Sequence, residues 1–298
     1  MTKALMQRRE STRYPGYFVK KYTRTVFFDN LWHENPEFVE ARGHVEDADG
    51  NIVIRPFTKI FNRFENGTDM DGDDTVLVVE KKNGFMCAAT YVPALDVVMV
   101  STTGSLDSDF VKVAEKWITD DIKKKIKLAT EDDPVTYLFE ICDPSDPHII
   151  PETPGAYLIG ARRVADERPY FSDVSLEVAL DFIADRLGVL RPWHTVMKFD
   201  ELIPTVRDCK HEGYVVYGLG TKKVLKIKSP YYLTMKFVSR MRDEKFAKWL
   251  ADGTIKQKVD EEFYPLVEYL KLIDIVFLGK TEQEKLAIVR EFLTNKVE

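Results

Sequence analysis

The chain has 298 residues, a formal net charge of −6 and a hydrophobic fraction of 44%. This length can bury a sizeable core, and the aromatic fraction of 12% argues against a disordered chain. The mild acidity excludes a uniformly basic nucleic-acid coat, although a local basic groove stays possible.

No apolar run approaches the roughly 18 residues of a membrane-spanning helix, so we expect no membrane partner. The three cysteines, Cys87, Cys142 and Cys209, are odd in number and far apart, which excludes a disulfide framework and a CxxC zinc site. Residues 1–13 lack the apolar stretch of a secretory signal. We therefore expect a cytoplasmic location, in a cell or in a virus-infected host.

Strand and turn patterns dominate the first third of the chain. Residues 22–28 are rich in β-branched and aromatic residues and predict a strand. Residues 47–51, DADGN, predict the turn of a hairpin between strands at 44–45 and 52–54. Residues 75–79 form a short apolar run that predicts another strand.

Helical patterns begin after residue 107. Apolar residues recur at helical spacing from Phe110 to Ile122 and predict a helix. Further predicted elements are buried strands at 137–141 and 157–161, a capped helix at 173–187 that ends at Gly188, and a hairpin of residues 214–217 with 224–227.

From about residue 232 to the end the pattern is helical. We therefore predict an α+β fold, with mostly antiparallel strands followed by a small all-helical C-terminal domain. The predicted domains are residues 1–235 and residues 236–298. Residues 222–258 also carry a strong excess of Lys and Arg with interleaved aromatics, which suits either a nucleic-acid groove or a solvated helix face over a core.

The segment 80–84, EKKNG, follows the predicted strand at 75–79. A lysine with Asn two positions later and then Gly suits covalent nucleotidyl transfer. The Lys81 amine would attack an α-phosphate, Asn83 would contact the ribose, and Gly84 would let the backbone approach the nucleotide. The Asn-Gly pair is also a strong hairpin signal, so the segment alone leaves both interpretations open.

Further motifs follow in a fixed order. Glu140 ends a predicted strand, Glu212 opens another, and Lys226 and Lys228 alternate on one strand face. This order resembles the motif series of the covalent nucleotidyltransferases, which comprise ATP-dependent DNA ligases, RNA ligases and mRNA capping enzymes.

Six separated motifs narrow the resemblance to the T4 RNA ligase 1 family. They are residues 42–43 (RG), 55–62 (RPFTKIFN), 139–145 (FEICDPS), 158–162 (LIGAR), 212–216 (EGYVV) and 226–229 (KIKS). The resemblance covers about residues 22–233. It implies that residues 1–235 form a nucleotidyltransferase (adenylyltransferase) domain.

The resemblance also implies an activity. An ATP-dependent RNA ligase of this family joins a 5′-phosphate and a 3′-hydroxyl RNA end through a covalent lysyl-AMP, here on Lys81, and an adenylylated RNA end. The implied cofactors are ATP and Mg²⁺ or Mn²⁺. The implied partners are RNA ends, single-stranded or of a broken tRNA-like molecule.

Residue roles follow from the same resemblance. The implied catalytic residues are Lys81, Glu212, Lys226 and Lys228. The implied ATP-binding residues are Arg42, Lys59, Phe61, Asn83, Gly84, Glu140, Lys226 and Lys228. Arg42 and Lys59 are expected to contact phosphate, of ATP or of the RNA end, and Phe61 packs either near the nucleotide or in the core. Glu212 is the first candidate for a metal ligand and Glu140 the second, because a hard divalent cation prefers carboxylate oxygen.

Three alternatives remain. A capping guanylyltransferase or a DNA ligase would usually carry an OB-fold after the lysine pair, whereas this tail is predicted to be helical. A non-catalytic nucleic-acid end-binding protein would not need the retained lysines and glutamates. Walker-type P-loop hydrolysis is disfavoured because the GxxxxGK[ST] motif is missing from the sequence.

Overall fold

The computed structural model describes residues 4–130, 132–240, 243–255, 258–273, 277 and 279–297. The chain forms two compact units, Met1–Ile60 with Lys82–His194, and Phe61–Lys81 with Thr195–Glu298. The chain thus passes from the second unit to the first between Lys81 and Lys82. The predicted domain boundary between residues 235 and 236 stays a prediction.

The first unit contains two antiparallel four-stranded sheets. Strands β1 (Met6–Glu10), β2 (Phe18–Tyr22), β3 (Arg42–Glu46) and β4 (Ile52–Ile54) form the first sheet in that order. The second sheet contains β7 (Phe85–Val92), β8 (Val97–Thr102), β9 (Val135–Cys142) and β10 (Gly155–Arg163), in the order β10-β9-β7-β8.

The helices of the first unit are α1 (Arg24–Phe28), α2 (Glu37–Glu40), α3 (Asp109–Trp117), α4 (Asp120–Thr130) and α5 (Val174–Leu187). Short 3₁₀ turns lie at Leu31–His33 and Pro93–Leu95. Val111, Ile122 and Leu180, from three different helices, share one core with residues of the second sheet such as Phe139. The apolar stripes of α3, α4 and α5 therefore bury one face of this sheet.

The second unit is built on a five-stranded sheet. Its strands are β5 (Phe61–Asn62), β6 (Thr75–Glu80), β11 (His194–Lys198), β12 (Gly213–Gly218) and β13 (Val224–Lys228), in the order β11-β6-β12-β13-β5. Strands β6, β12 and β13 pair antiparallel, and β5 pairs parallel with β13. Helix α6 (Phe199–Asp208) covers one face through Phe199, Leu202 and Val206.

The C-terminal part of the second unit is helical. It comprises α7 (Pro230–Arg240), α8 (Asp243–Ala251), a 3₁₀ turn at Glu261–Phe263, α9 (Tyr264–Leu272) and α10 (Glu282–Val297). These helices enclose a hydrophobic cluster of their own, with Phe237, Phe246, Leu266, Val289 and Leu293 nearly inaccessible to solvent. The predicted α+β class, with antiparallel sheets and a helical C-terminal part, is confirmed.

Several predicted elements are present. The hairpin around residues 47–51 is formed by β3 and β4, and Asp47 Oδ1 accepts hydrogen bonds from the backbone of the turn. Helix α5 is capped by Asp173, whose side chain accepts from Leu176 N, and it ends at Gly188.

Two predictions were wrong in detail. The predicted strand at 22–28 ends at Tyr22, and Arg24–Phe28 is a helical turn that buries Val26. β-Branched and aromatic residues also fit a helix when packing favours it, so propensity did not decide this segment. The predicted helix from Phe110 to Ile122 is two helices, α3 and α4, with a break after Trp117.

In the basic segment 222–258, Phe237 and Phe246 are buried in the helical core and are therefore not available as stacking platforms. Its residues 241, 242, 256 and 257 lie outside the described residues. In the described part of the chain, no helix has the length and apolar character needed to cross a membrane.

Candidate active site

Lys81 directly follows strand β6, which is an apolar run buried from Val76 to Val79. The Lys81 N–H donates to the Gly213 carbonyl at 2.9 Å, which continues the pairing of β6 with β12. Gly213 is in turn the register partner of Lys228 on β13. The sheet ladder thus brings three of the predicted motifs to the same end of three adjacent strands.

Glu212 provides the counterion of Lys81. The Lys81 Nζ atom lies 2.9 Å from Glu212 Oε2, and the two side chains are 23% and 4% exposed. Burying a carboxylate costs free energy unless it is paired with a cation. The Glu212 carboxylate therefore attracts the Lys81 side chain and holds it at this position. The separation also allows direct proton transfer between the amine and the carboxylate.

Lys226 and Lys228 lie on the same face of β13, as their alternation predicted. Lys226 pairs in register with Asn62 on β5 and with Val215 on β12. Phe61, half-buried, is the parallel partner of Leu225 on the same strand. The structure therefore places Phe61 next to β13, the strand that carries Lys226 and Lys228.

Lys228 has a partner that sequence reasoning missed. Its Nζ atom lies 2.5 Å from Glu262 Oε2, and Lys236 Nζ lies 2.7 Å from Glu262 Oε1 and 2.7 Å from Asp260 Oδ2. The only sequence signal was the acidic run at 260–262 after a lysine-rich stretch. Nothing in that run indicates which lysine it pairs with.

Charge pairing outweighs burial throughout this cluster. Burial alone would lower the pKa of Lys228, but the Glu262 carboxylate raises it above its usual range. Burial alone would raise the pKa of Glu262, yet Lys228 and Lys236 lower it to about 2. Glu262 also raises the pKa of Lys236, so Lys228, Lys236 and Glu262 are all charged at neutral pH.

Asn83 and Gly84 connect β6 to β7, which belong to different sheets, so they do not form a hairpin turn. Asn83 Oδ1 accepts a hydrogen bond from Ile150 N at 3.0 Å, and its own N–H donates to Glu152 Oε1. Glu152 also pairs with Lys82 at 3.2 Å. Sequence reasoning missed Glu152, which lies in a Pro-flanked loop without any motif signal.

Gly84 is required where it stands. A Cβ atom at this position would lie 2.2 Å from the carbonyl oxygen of Ile141. The Gly84 N–H donates to Glu140 Oε1 at 3.1 Å. The predicted nucleotide residues Asn83, Gly84 and Glu140 are therefore grouped within the first unit.

Arg42 and Lys59 have different surroundings. Lys59 is 8% exposed, and its Nζ atom lies 4.6 Å from the centroid of the Trp32 ring and 5.7 Å from that of Phe27. This geometry is a cation–π contact inside an aromatic wall. Arg42 opens β3 and lines a solvent-accessible cavity.

A family model described as RNA ligase, of the T4 RNA ligase 1 type, matches residues 40–239. None of the curated proteins matches the chain. Among solved structures, form 2 of an archaeal ATP-dependent RNA ligase has a TM-score of 0.58 and 14% identity, covering 99% of this chain and 73% of that chain. A putative ATP-dependent DNA ligase from Aquifex aeolicus has a TM-score of 0.57 and 12% identity, covering 98% and 74%.

At such low identities the structural likeness shows a shared fold. The family model matches well over half of the chain, and the matched region contains the motifs around Lys81, Glu140, Glu212, Lys226 and Lys228. The chain therefore belongs to the T4 RNA ligase 1 family of RNA ligases.

Proposed function

We propose that this RNA ligase seals a 5′-phosphate to a 3′-hydroxyl RNA end, using ATP, through AMP carried on Lys81. The observation that supports the proposal most directly is the Lys81–Glu212 pair, 2.9 Å apart at the end of the strands that also position Lys228. A carboxylate favours the ammonium form of a lysine that pairs with it, and Glu212 is also close enough to accept the proton as the amine attacks.

In the first step, the Lys81 ammonium passes one proton to Glu212 Oε2. The neutral amine then attacks the α-phosphorus of ATP, the P–N bond forms, and the P–O bond to the β-phosphate breaks as pyrophosphate leaves. A lysine has a reference pKa of about 10.4, so little of it is neutral without such help. Lys226 would stabilise the charge that develops on the transferring phosphate.

The described residues include no cluster of three or more His, Cys, Asp or Glu side chains that could hold a metal ion, so a metal would need ligands from the substrate as well. Mg²⁺ is commonly held by one or two carboxylates together with substrate phosphates, and Glu212 is the first candidate for this role, with Glu140 as the second. When bound, the metal would neutralise phosphate charge. Mn²⁺ offers the same chemistry with similar ligands.

In the second step, AMP passes from Lys81 to the 5′-phosphate of an RNA end, and the lysine amine is the leaving group. In the third step, the 3′-hydroxyl oxygen attacks the phosphorus of the activated end, a phosphodiester forms and AMP leaves. In these steps Asn83, Gly84 and Glu140 would hold the adenylate. Arg42 and Lys59 would contact phosphate, of ATP or of the RNA end, and Phe61 would pack near the nucleotide.

We further propose that the joined ends are single-stranded or belong to a broken tRNA-like molecule, and that the protein works in the cytoplasm. These proposals rest on the family resemblance and, for the location, on the odd number and wide separation of the three cysteines in the sequence.

The test is a ligation assay on short RNA that carries a 5′-phosphate and a 3′-hydroxyl, with ATP and Mg²⁺. We expect joined or circular RNA, and none when the RNA carries a 5′-hydroxyl. A nicked tRNA-like hairpin tests whether a broken tRNA-like molecule is a substrate, and a DNA strand of the same sequence tests the preference for RNA. Equal joining of DNA and RNA, or joining without ATP by protein first treated with pyrophosphate, would contradict the proposal.

A further inference from the structure

A row of polar and basic side chains crosses the first sheet. Gln7 on β1 faces Lys21 on β2, and Lys21 faces Arg42 on β3. All three residues line a cavity of about 420 Å³. The other lining residues are Tyr22, Thr23, Arg24, Ala41 and Thr103.

The pairing of Lys21 with Arg42 is unfavourable by itself. Like charges directly opposite each other on neighbouring strands destabilise a sheet. In the part of the chain that the structure describes, no carboxylate forms an ion pair with Lys21, Arg24 or Arg42. Lys21, Arg24 and Arg42 therefore line one cavity, and no carboxylate of the described residues pairs with them.

A β-bulge in β3 places Arg42 opposite Lys21. The register shifts from Lys20–His44 to Lys21–Arg42, which leaves Gly43 as the extra residue of a β-bulge. Val19 and Lys21 lie on one face of β2, so their partners Val45 and Arg42 also share a face. Arg42 and Val45 are three residues apart and would face opposite sides of a regular strand. The bulge at Gly43 therefore turns Arg42 toward the cavity.

Gly43 also brings another wall of the cavity into place. Its φ is +95°, and a Cβ atom there would lie 2.7 Å from Thr103 Cα. The loop after β8 can approach β3 only because residue 43 lacks a side chain. A Cβ atom on Gly104 would lie 3.4 Å from Lys21 Nζ, which places this ammonium beside the same loop.

A buried hydroxyl in the wall lacks a partner. Thr23 Oγ1 is inaccessible to solvent and forms no hydrogen bond with any described residue. A buried polar atom that stays unpaired costs free energy, which a ligand oxygen can recover. A phosphate oxygen accepts hydrogen bonds from a hydroxyl, an ammonium and a guanidinium alike.

We infer that this cavity, lined by Gln7, Lys21, Thr23, Arg42 and Thr103, binds a phosphate group of the RNA strand. Phosphate chemistry could come from ATP or from RNA. Lys21, Arg24 and Thr103 are exposed, and Arg9 extends the row on the same face of β1. Positive charge that continues along a surface suits a strand with several phosphates better than a single nucleotide. The inference rests on the proposed function, since it names where the RNA of that reaction binds.

The test compares Lys21→Met and Thr23→Val with Lys20→Met. Lys20 is the matched control, because it lies on the same strand, on the opposite face, and pairs with Glu37. The probe is a fluorescent single-stranded RNA with a 5′-phosphate, and its Kd is measured by anisotropy in EDTA without ATP. We expect Lys21→Met to raise Kd about tenfold and to reduce the salt slope by about one, whereas Lys20→Met changes Kd less than about twofold.

Thermal melting provides a second readout. Lys21→Met should raise Tm above that of Lys20→Met, because it relieves the repulsion with Arg42. Thr23→Val keeps the side-chain shape and should raise Kd about threefold without lowering Tm. An unchanged Kd in both variants would overturn the inference.

Formation of the AMP adduct, which needs no RNA, distinguishes the two phosphate sources. If Lys21→Met slows adduct formation and leaves the RNA Kd unchanged, the cavity binds ATP and the inference is wrong. If the wild-type protein forms no adduct while Lys21→Met still weakens RNA binding, the proposed chemistry fails and the RNA-binding cavity stands.

Discussion

Lys228 Nζ lies 2.5 Å from Glu262 Oε2, and this ion pair joins a motif lysine of the sheet to the helical C-terminal part of the same unit. The side chains are 11% and 8% exposed, so water screens the attraction only weakly. Lys236 forms an ion pair with the other carboxylate oxygen of Glu262, Oε1. The position of a proposed ATP-binding lysine therefore depends on a residue outside the matched family region.

Replacing Glu262 with Gln should destabilise the protein. The variant leaves Lys228 buried without its carboxylate, and breaking such a pair costs about 3 kcal/mol. Glu268→Gln is the control, because the Glu268–Lys271 pair is largely exposed, and it should cost at most about 0.5 kcal/mol. Urea denaturation at neutral pH measures both, and equal losses would contradict the role given to Glu262.

Replacing Glu212 with Gln should slow AMP transfer to Lys81 about 100-fold, because the amide cannot take the proton of the ammonium. The rate of the variant should recover in part at alkaline pH, where solvent deprotonates the lysine. Stopped-time mass spectrometry across pH gives the profile. A variant with the same pH profile as the wild type would show that Glu212 does not accept the proton.

His44 predicts a pH dependence of stability. Burial, together with the nearby charges of Arg55 and Arg162, lowers the pKa of His44 from 6.5 to about 3. Glu40 Oε2 lies 3.6 Å from the ring, but this carboxylate group already accepts hydrogen bonds from Arg162 and Thr58. Folded His44 therefore stays neutral where the unfolded chain takes up a proton.

The stabilisation from neutral His44 is present above pH 6.5 and is lost as pH falls toward 3. The loss attributable to this group is at most about 1.4 kcal/mol per pH unit. Urea denaturation of wild type and His44→Gln, at about pH 7 and at about pH 5, measures it. We expect the gap in unfolding free energy between the two proteins to change in favour of His44→Gln at the lower pH. An unchanged gap would mean that His44 is protonated in the folded state.

Replacing Gly84 with Ala should disturb the nucleotide-binding segment. Because the new methyl group would lie 2.2 Å from the Ile141 carbonyl, the backbone must shift, at a cost of about 1–3 kcal/mol. Gly220→Ala is the matched control, since its new methyl group would have no atom within 4 Å, and it should stay within about 0.5 kcal/mol. Melting temperatures of the two variants check this, and equal values would refute the close approach.

The resemblance to the T4 RNA ligase 1 family predicted that Lys81, Glu212 and Lys228 belong to one site, and the pairing of β6, β12 and β13 brings them to the same end of the sheet. Local signals were also sufficient for the hairpin at 47–51 and for the cap of α5, where turn and capping residues act within a few positions. The roles of these residues in the reaction stay predictions.

Long-range pairs could not be predicted in this way. Glu262 and Glu152 reach their lysines from segments far along the chain, and no local pattern encodes such a partner. The bulge at Gly43 was equally hidden, because one glycine after an arginine does not reveal a register shift. The strand predicted at 22–28 failed because packing of Val26, rather than propensity, set the end of β2 at Tyr22.

The central claim is that Lys81 carries AMP, and intact mass after incubation with ATP and Mg²⁺ tests it most directly. The protein is first treated with pyrophosphate to remove any AMP already attached. We predict a gain of one AMP on the wild type, no gain with GTP, and no gain on Lys81→Arg, which keeps the charge beside Glu212 but cannot supply a neutral amine. No adduct on the wild type, or the same adduct on Lys81→Arg, would contradict the account.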